Sequence, residues 1–576
     1  MLGLLARLET LTRILVGWLD GPVWARAALL GAVACLVLAP GLATLPPTDR
    51  DESRFVQASR QMLETGDLVD IRFQDEPRWK KPVGIYWLQA GTAALVGGPE
   101  APVWAYRLPS ALGILAATLL AAWALAPLIG RRAAGIAALM LATTALAAVE
   151  GHLAKTDAVL LALVLAAQGA LARLALRPVQ GFDGRHVILW AAIGAGILVK
   201  GPIVPLVSGL TAIWLMVAER SAGLLWRLRP LPGLALLLIV TLPWFAAITL
   251  RTEGGFFREA LVEDLLGKVA EGAERHWGPP GYYFATIWGT LWPWAPLMLF
   301  AAPMIWRQRH LPQIRFLLGW LLPFWLAFEL FATKLPHYML PVFPALCGLV
   351  AFWITAPEKD SPGRARLLLA SGLFVLVGLV LALAAILGLP LVEGSASVTG
   401  TVLGLLALLA VAAGARALMD RRVTAFLAAG TLAALLTFPA LLGFTLPRLE
   451  AVFLSPRLAA ARGAFDACTD RPLAAIGYHE PSLVFAGGTA TRLIGEEEAE
   501  ALLRHQDGWI VLYEERRGRT LARFHEETGL RLAVLASVSG FNYNRGDWTT
   551  VFVIAREGDP RLAPCLKPPS GDAGQL

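Results

Sequence analysis

The 576-residue chain is 56% hydrophobic and only 16% charged, with a mean hydropathy of +0.60. Those proportions exclude a soluble globular protein, and repeated apolar runs of bilayer length predict a polytopic α-helical membrane protein. A formal charge of +7 in such a chain reports arginine on cytoplasmic loops, so no nucleic-acid partner is expected.

The opening stretch, MLGLLARLETLTRILVGWLD, has no small-residue cleavage site before the first apolar run and reads as retained cytoplasmic sequence. Hydropathy then predicts about 13 transmembrane segments, near 24–45, 104–129, 133–150, 157–176, 187–200, 202–218, 231–250, 282–306, 316–332, 338–356, 367–389, 398–415 and 423–445. With the N-terminus inside, the loops after even-numbered spans must be cytoplasmic. They are short and basic: Arg131 with Arg132, Arg173 with Arg177, Arg220 with Arg227, Arg307 with Arg309, Lys359 with Arg364, and Arg416 with Arg421. That is the positive-inside pattern.

The opposite face receives loop 47–103, GHLAKTD (151–157), the Lys200 turn, loop 251–281, TKLPHY (333–338) and everything from 447 onward. Charges of both signs, histidine and aromatics collect there, so the candidate chemistry lies on one, non-cytoplasmic side. In the first of these loops, Phe55, Ala58, Ser59 and Met62 repeat at helical spacing between Glu52 and Glu64, with Gly66 as the stop. The pattern predicts an interfacial amphipathic helix, followed by a second short one from Pro82 through Tyr86 and Trp87. Together they set Asp51 and Lys81 at headgroup depth.

Residues 1–446 form the expected membrane domain and 447–576 a separate soluble one. In the latter, strand-like runs (473–477, 509–513, 532–538, 550–555) alternate with helical ones (496–505, 517–528), which predicts a small α/β layer. The final KPPSGDAGQL reads as disordered. Cys35 and Cys347 fall inside spans as packing residues; Cys468 and Cys565 bracket the soluble domain, where a disulfide and two free thiols are both open. Glu329, inside a span, is an intramembrane charge with Lys334 as its expected partner.

No G-x-G-x-x-G, Walker or H-E-x-x-H motif is present. What remains is carboxylates, lysines, histidine and tyrosine around a cavity at bilayer level, which suits group transfer from a lipid phosphate: carboxylates serve as bases or orienting groups, and lysines and Arg54 hold phosphate. The competing roles are structural. Asp51 can cap a helix, Asp157 can favour a helix start, Lys81 can snorkel, and Lys200 before Gly201-Pro202 can simply mark a turn.

DESRF…ASRQMLETGD followed by KKPVGIYWLQA, with HLAKTDA (152–158), the KGP turn at Lys200, RHWGPPGYY (275–283) and TKLPHYMLP (333–341), resembles the bacterial aminoarabinose transferase family. These are lipid A glycosyltransferases related to protein O-mannosyltransferases, within the polyprenyl-phosphate-dependent GT-C superfamily. The resemblance implies 13 spans and a periplasmic C-terminal domain in the bacterial inner membrane. It implies a sugar donor linked to undecaprenyl phosphate, and transfer at the periplasmic face to lipid A or a related acceptor. Asp51 and Asp157 match the family's catalytic aspartates, Lys81 its phosphate-contacting lysine and Tyr338 a tyrosine near the same group. His276 matches a histidine that helps bind a divalent metal. The acidic partner of that histidine precedes the lysine; here the position is Lys80, which weighs against the metal and against aminoarabinose as the sugar. A protein or glycan O-glycosyltransferase with the same donor is the near alternative. A lipid-linked-sugar transporter is the distant one, because a transporter needs polar residues on both faces and through the spans.

Overall fold

The computed structural model describes residues 2–177, 180–260, 278–357 and 362–566. Lys359, His276 and the KPPSGDAGQL tail lie outside the described residues. Among those described, nine helices are long and apolar enough to cross a membrane, and each of the thirteen expected segments falls on helical chain. Two expected segments share the 40-residue Val103–Ala142 element, which breaks at Gly130 (φ 82°) ahead of Arg131 and Arg132. Gly184–Lys200 and Ile203–Glu219 are shorter, 17 residues each, and meet at Gly201. Gly201 holds φ 62° and ψ −133°, a region only glycine enters without strain. Segment 282–306 is divided into Tyr282–Thr290 and Met298–Arg307.

In the first loop, the Asp51–Thr65 helix ends at Gly66 (φ 70°), whose N–H donates to the Met62 carbonyl. Phe55, Ala58 and Met62 pack against Ile71, Val83, Tyr86 and Trp244. A two-residue hairpin, β1 (Arg72–Phe73) and β2 (Glu76–Pro77), leads into the Gly84–Val96 helix. That helix runs well past the expected Trp87.

The C-terminal part is one five-stranded sheet: β3 (Ala474–Ile476), β4 (Arg492–Ile494), β5 (Ile510–Glu515), β6 (Leu532–Asn542) and β7 (Asp547–Arg556), in the order β4-β3-β5-β7-β6. β3 pairs in parallel with both β4 and β5; β7 runs antiparallel to β5 and β6. Alternation along β5 assigns the two faces. Ile510 and Leu512 meet Leu454, Leu458 and Leu483 of helices Leu454–Gly463 and Pro481–Gly487. Val511 and Tyr513 meet Leu502, Leu503 and Phe524 of helices Glu496–His505 and Leu521–Thr528. The last helix starts at Leu521 rather than Arg517, because Thr520 Oγ1 accepts the Arg523 N–H and caps it, while Arg516 and Arg519 close a tight bridge before it. Cys468 and Cys565 form a disulfide with Cα atoms 6.3 Å apart. Cys347 is buried as a packing residue, whereas Cys35 is exposed on its helix.

The sheet is seated on the first loop. The Asp49 N–H donates to Tyr543 Oη (2.5 Å), the Ser482 N–H to Asp49 Oδ1 (3.1 Å) and Arg50 Nη2 to the Asn544 carbonyl (3.2 Å). Gln57 Nε2 reaches Thr489 Oγ1 and Arg60 Nη1 the Phe485 carbonyl. Burial raises the Asp49 carboxyl to about 6, against the Ser482 bond and with help from Glu480. A carboxyl that titrates near 6 when docked and near 3.8 when free binds its proton more tightly in the docked state. Docking is therefore strongest below pH 4 and weakens as pH rises through 6. Asp49→Asn is expected to be more stable than wild type at pH 7.5 by roughly 2–3 kcal/mol, and so to unfold at a higher temperature, with the gap shrinking toward pH 4. Thermal melts across that range measure it.

Candidate functional site

Five turns converge on one cavity. The Asp51 end of its helix is fixed by the neighbouring residue: Glu52 is fully buried and bonded to Arg107 (2.7 and 3.0 Å), to the Thr48 N–H and hydroxyl, and to the Ala154 N–H (2.9 Å). One carboxylate thus ties the first loop to the turn that carries Lys155 and Asp157. The Lys80–Pro82 turn meets the Lys200 turn through Gly84. A Cβ there would stand 2.8 Å from the Leu198 carbonyl, so only glycine permits this approach.

The cavity measures about 420 Å³ and is lined by Lys80, Lys81, Asp157, Lys200, Thr333, His337 and Tyr338, together with Phe245, Phe256, Phe257, Phe324, Phe328 and Phe331. Lys200 Nζ donates to Asp157 Oδ1 at 2.5 Å and stands 5.4 Å above the Tyr338 ring. Phe328 continues from Tyr338 at a centroid distance of 5.8 Å and stacks on Phe324 at 4.4 Å. On another side, Phe245, Phe256 and Phe257 pack together at 5.5 to 6.2 Å. A cationic patch therefore adjoins an aromatic wall, the form of site that accepts an anion carrying a long apolar tail.

Of the residues singled out in the sequence, Lys81, Lys200, Asp157 and Tyr338 line this cavity. Asp51 and Arg54 are not among its lining residues; Asp51 is linked to it through its electrostatic interaction with His337 of the lining. Burial raises the Asp51 carboxyl, but Lys155, with His337, Arg78 and Arg54, outweighs burial and holds it below the ordinary carboxylate value. Arg54 thus acts on Asp51 from one turn along the helix. His276 lies outside the described residues, and no cluster of three His, Cys, Asp or Glu side chains occurs among those described. At the position where the family pattern asks for an acid, Lys80 lines the cavity. Three lysines with one carboxylate already bonded to Lys200 suit an anion and do not fit a divalent cation.

Lys155 was not marked by sequence. Its Nζ donates to Glu150 Oε1 (3.0 Å). Burial lowers its pKa, and Glu150, Asp157 and Asp51 more than reverse that, keeping it above the ordinary lysine value. Its place two residues before Asp157 was the available signal. Glu329 corrects the expected pairing with Lys334. Its carboxylate accepts from the Gly281 and Tyr283 N–H groups and from Trp325 Nε1, while Lys334 Nζ donates to the Gly278 and Phe331 carbonyls. Both are satisfied by backbone groups freed at helix ends.

Residues 80–246 match the dolichyl-phosphate-mannose-protein mannosyltransferase family. The undecaprenyl phosphate-alpha-4-amino-4-deoxy-L-arabinose arabinosyl transferase of Edwardsiella ictaluri (strain 93-146) is 30% identical over 397 residues, 67% of this chain and 70% of that protein. The enzyme of the same name from Enterobacter sp. (strain 638) is 28% identical over 308 residues, and the match spans 54% of its length. The crystal structure of ArnT from Cupriavidus metallidurans bound to undecaprenyl phosphate superposes with a TM-score of 0.70 at 21% identity, covering 92% of this chain and 98% of that one. The shared fold thus extends through the C-terminal sheet.

Proposed function

The chain belongs to the aminoarabinose transferase family of multi-pass membrane glycosyltransferases, and from that membership we propose that it moves a sugar from undecaprenyl phosphate to lipid A or a related acceptor. The reaction takes place on the periplasmic side of the inner membrane, with the N-terminus cytoplasmic and the C-terminal sheet periplasmic. The observation that carries this reading is the meeting of Lys81, Lys200, Asp157 and Tyr338 with a phenylalanine-lined wall in one cavity. The donor is a phosphate on an isoprenoid, and this site offers cations to the one and aromatic surface to the other.

In the transfer, an acceptor oxygen attacks the anomeric carbon, the bond from that carbon to the phosphate oxygen breaks, and the electron pair leaves with undecaprenyl phosphate. Lys81 and Lys200 stabilise the charge that grows on the departing phosphate. Asp157 orients Lys200 through their short ion pair. Asp51 faces the acceptor. For a hydroxyl acceptor it takes the proton, and for a phosphate acceptor it aligns the attacking oxygen. Lys81→Ala is expected to lower turnover by about 10²–10³-fold, with the acceptor KM little changed. Single-turnover kinetics with a synthetic donor in detergent checks this, and a variant that reacts at the wild-type rate removes Lys81 from the site.

Mass spectrometry of lipid A from a deletion strain tests the acceptor. Loss of one sugar-sized adduct is expected; an unchanged lipid A transfers the reading to a protein or glycan acceptor. That second reading draws on the mannosyltransferase match over residues 80–246 and on Lys80, where aminoarabinose enzymes carry an acid.

A further inference from the structure

We propose that the C-terminal sheet carries a second binding site, for a glycan bearing phosphate or carboxylate groups, and that this site holds the acceptor while the membrane cavity holds the donor. The inference rests on the transferase reading and adds to it the part of the protein that selects the acceptor.

The position follows from topology. The chain passes from β3 to β4 on one side and then returns to β5 on the other side of β3. In such sheets the crevice at the carboxyl ends of the diverging strands is where ligands bind. Here that crevice lies after Ile476 and Glu515. Beside the Glu515 end of it opens a cavity of about 630 Å³, lined by Glu496, Glu515–Arg519, Arg523 and Asp547–Thr549, a volume within the usual small-ligand range of about 300–1,000 Å³. A second hollow, about 390 Å³, continues past Trp548 along Thr520, Ser539 and Thr550.

The lining has the chemistry of a sugar site. Trp548 is 65% exposed, a flat apolar face of the kind on which a pyranose ring stacks. Arg519 is held by Glu496 (3.1 Å), and Gly477 leaves room for it, since a Cβ there would stand 2.5 Å from Arg519 Nη1. Arg517 makes no hydrogen bond or ion pair among the described residues and opens into the cavity. Guanidinium groups grip phosphate or carboxylate in a fork, while Glu515 and Asp547 accept sugar hydroxyls. Those same carboxylates repel a continuous polyanion, which favours a glycan with a few discrete charges.

The site also faces the right way. The β6–β7 turn that leads into Asp547–Thr549 is the one bonded to Asp49 and Arg50, and the next residue is Asp51. A glycan held against Trp548 therefore enters beside the loop that carries the reaction.

The test uses the full chain in detergent, titrated with a phosphorylated glucosamine disaccharide, the dephosphorylated disaccharide, inorganic phosphate and an acidic peptide. The phosphorylated disaccharide is expected to bind at least about tenfold more tightly than any of the other three. Arg517→Ala or Trp548→Ala is expected to weaken it about tenfold, with Arg517→Lys recovering part. In the transfer assay both alanine variants are expected to raise the acceptor KM while the donor KM and kcat hold. Equal binding by wild type and variants, or preference for phosphate alone or for the peptide, overturns the site. Binding as expected in a protein that transfers no sugar keeps the site and defeats the transferase reading. Full transfer with an unaltered acceptor KM in the variants does the reverse.

Discussion

Asp51→Asn is expected to reduce sugar transfer by about 10³-fold or more, within the span ascribed to positioned general bases and charge partners, while the protein folds and inserts as before. Asparagine matches aspartate in size and keeps an oxygen acceptor. The helix start does not depend on it, because the neighbouring Glu52 makes the bonds to Arg107, Thr48 and Ala154 that fix this corner. What is lost is a negative charge facing Lys155, His337, Arg78 and Arg54. Since the charges of Lys155, Arg78 and Arg54 hold the Asp51 carboxyl below its ordinary value of 3.8, the residue stays ionised throughout the neutral range. Activity that depends on it falls only on the acid side of about pH 4, and no alkaline limb is traceable to it. Initial rates with a polyprenyl-phosphate sugar, measured from about pH 3 to 8 on both proteins, test the charge and the assignment together. Wild-type turnover by the variant ends the case for Asp51.

Much of the membrane architecture was legible because a bilayer imposes a length and a composition that few other settings do. The turns that build the cavity were legible for a related reason: Lys81, Asp157, Lys200 and Tyr338 are polar residues at the ends of apolar runs. Their pairings were not. Lys200 and Asp157 stand 43 positions apart in the chain, and nothing in either local pattern names the other. Sequence sets Glu329 beside Lys334 because it displays side chains and hides the freed backbone N–H groups that hold the carboxylate. In the C-terminal sheet the long strands β5 to β7 announced themselves by alternation. The three-residue β4 and the helix Pro481–Gly487 are too short to show a period.

Arg107 is the largest omission, and it carries the largest expected effect on stability. It is a fully buried arginine near the start of an apolar 40-residue helix, an intramembrane charge of the kind that is retained for a partner. Its guanidinium donates to both Glu52 oxygens and to the Leu42, Leu45 and Pro46 carbonyls at 2.6 to 3.2 Å. Those carbonyls belong to the chain end of the Val23–Leu42 helix, so one side chain joins that exit to the Asp51 helix and, through Glu52, to Ala154. Arg107→Met is expected to cost about 3–5 kcal/mol, the usual penalty for stranding one member of a buried pair. It is also expected to depress activity, since Asp51 and the Lys155–Asp157 turn lose their common anchor. Glu52→Gln should be milder, because an amide still offers an acceptor and Arg107 retains its three carbonyls. The double variant Glu52→Gln, Arg107→Met should recover part of the loss, as no charge is then left unpaired. Denaturant unfolding of the four proteins closes the cycle. A coupling energy near zero would mean that the two side chains are held in place by their separate backbone partners, and that the corner carrying Asp51 is built by something other than this pair.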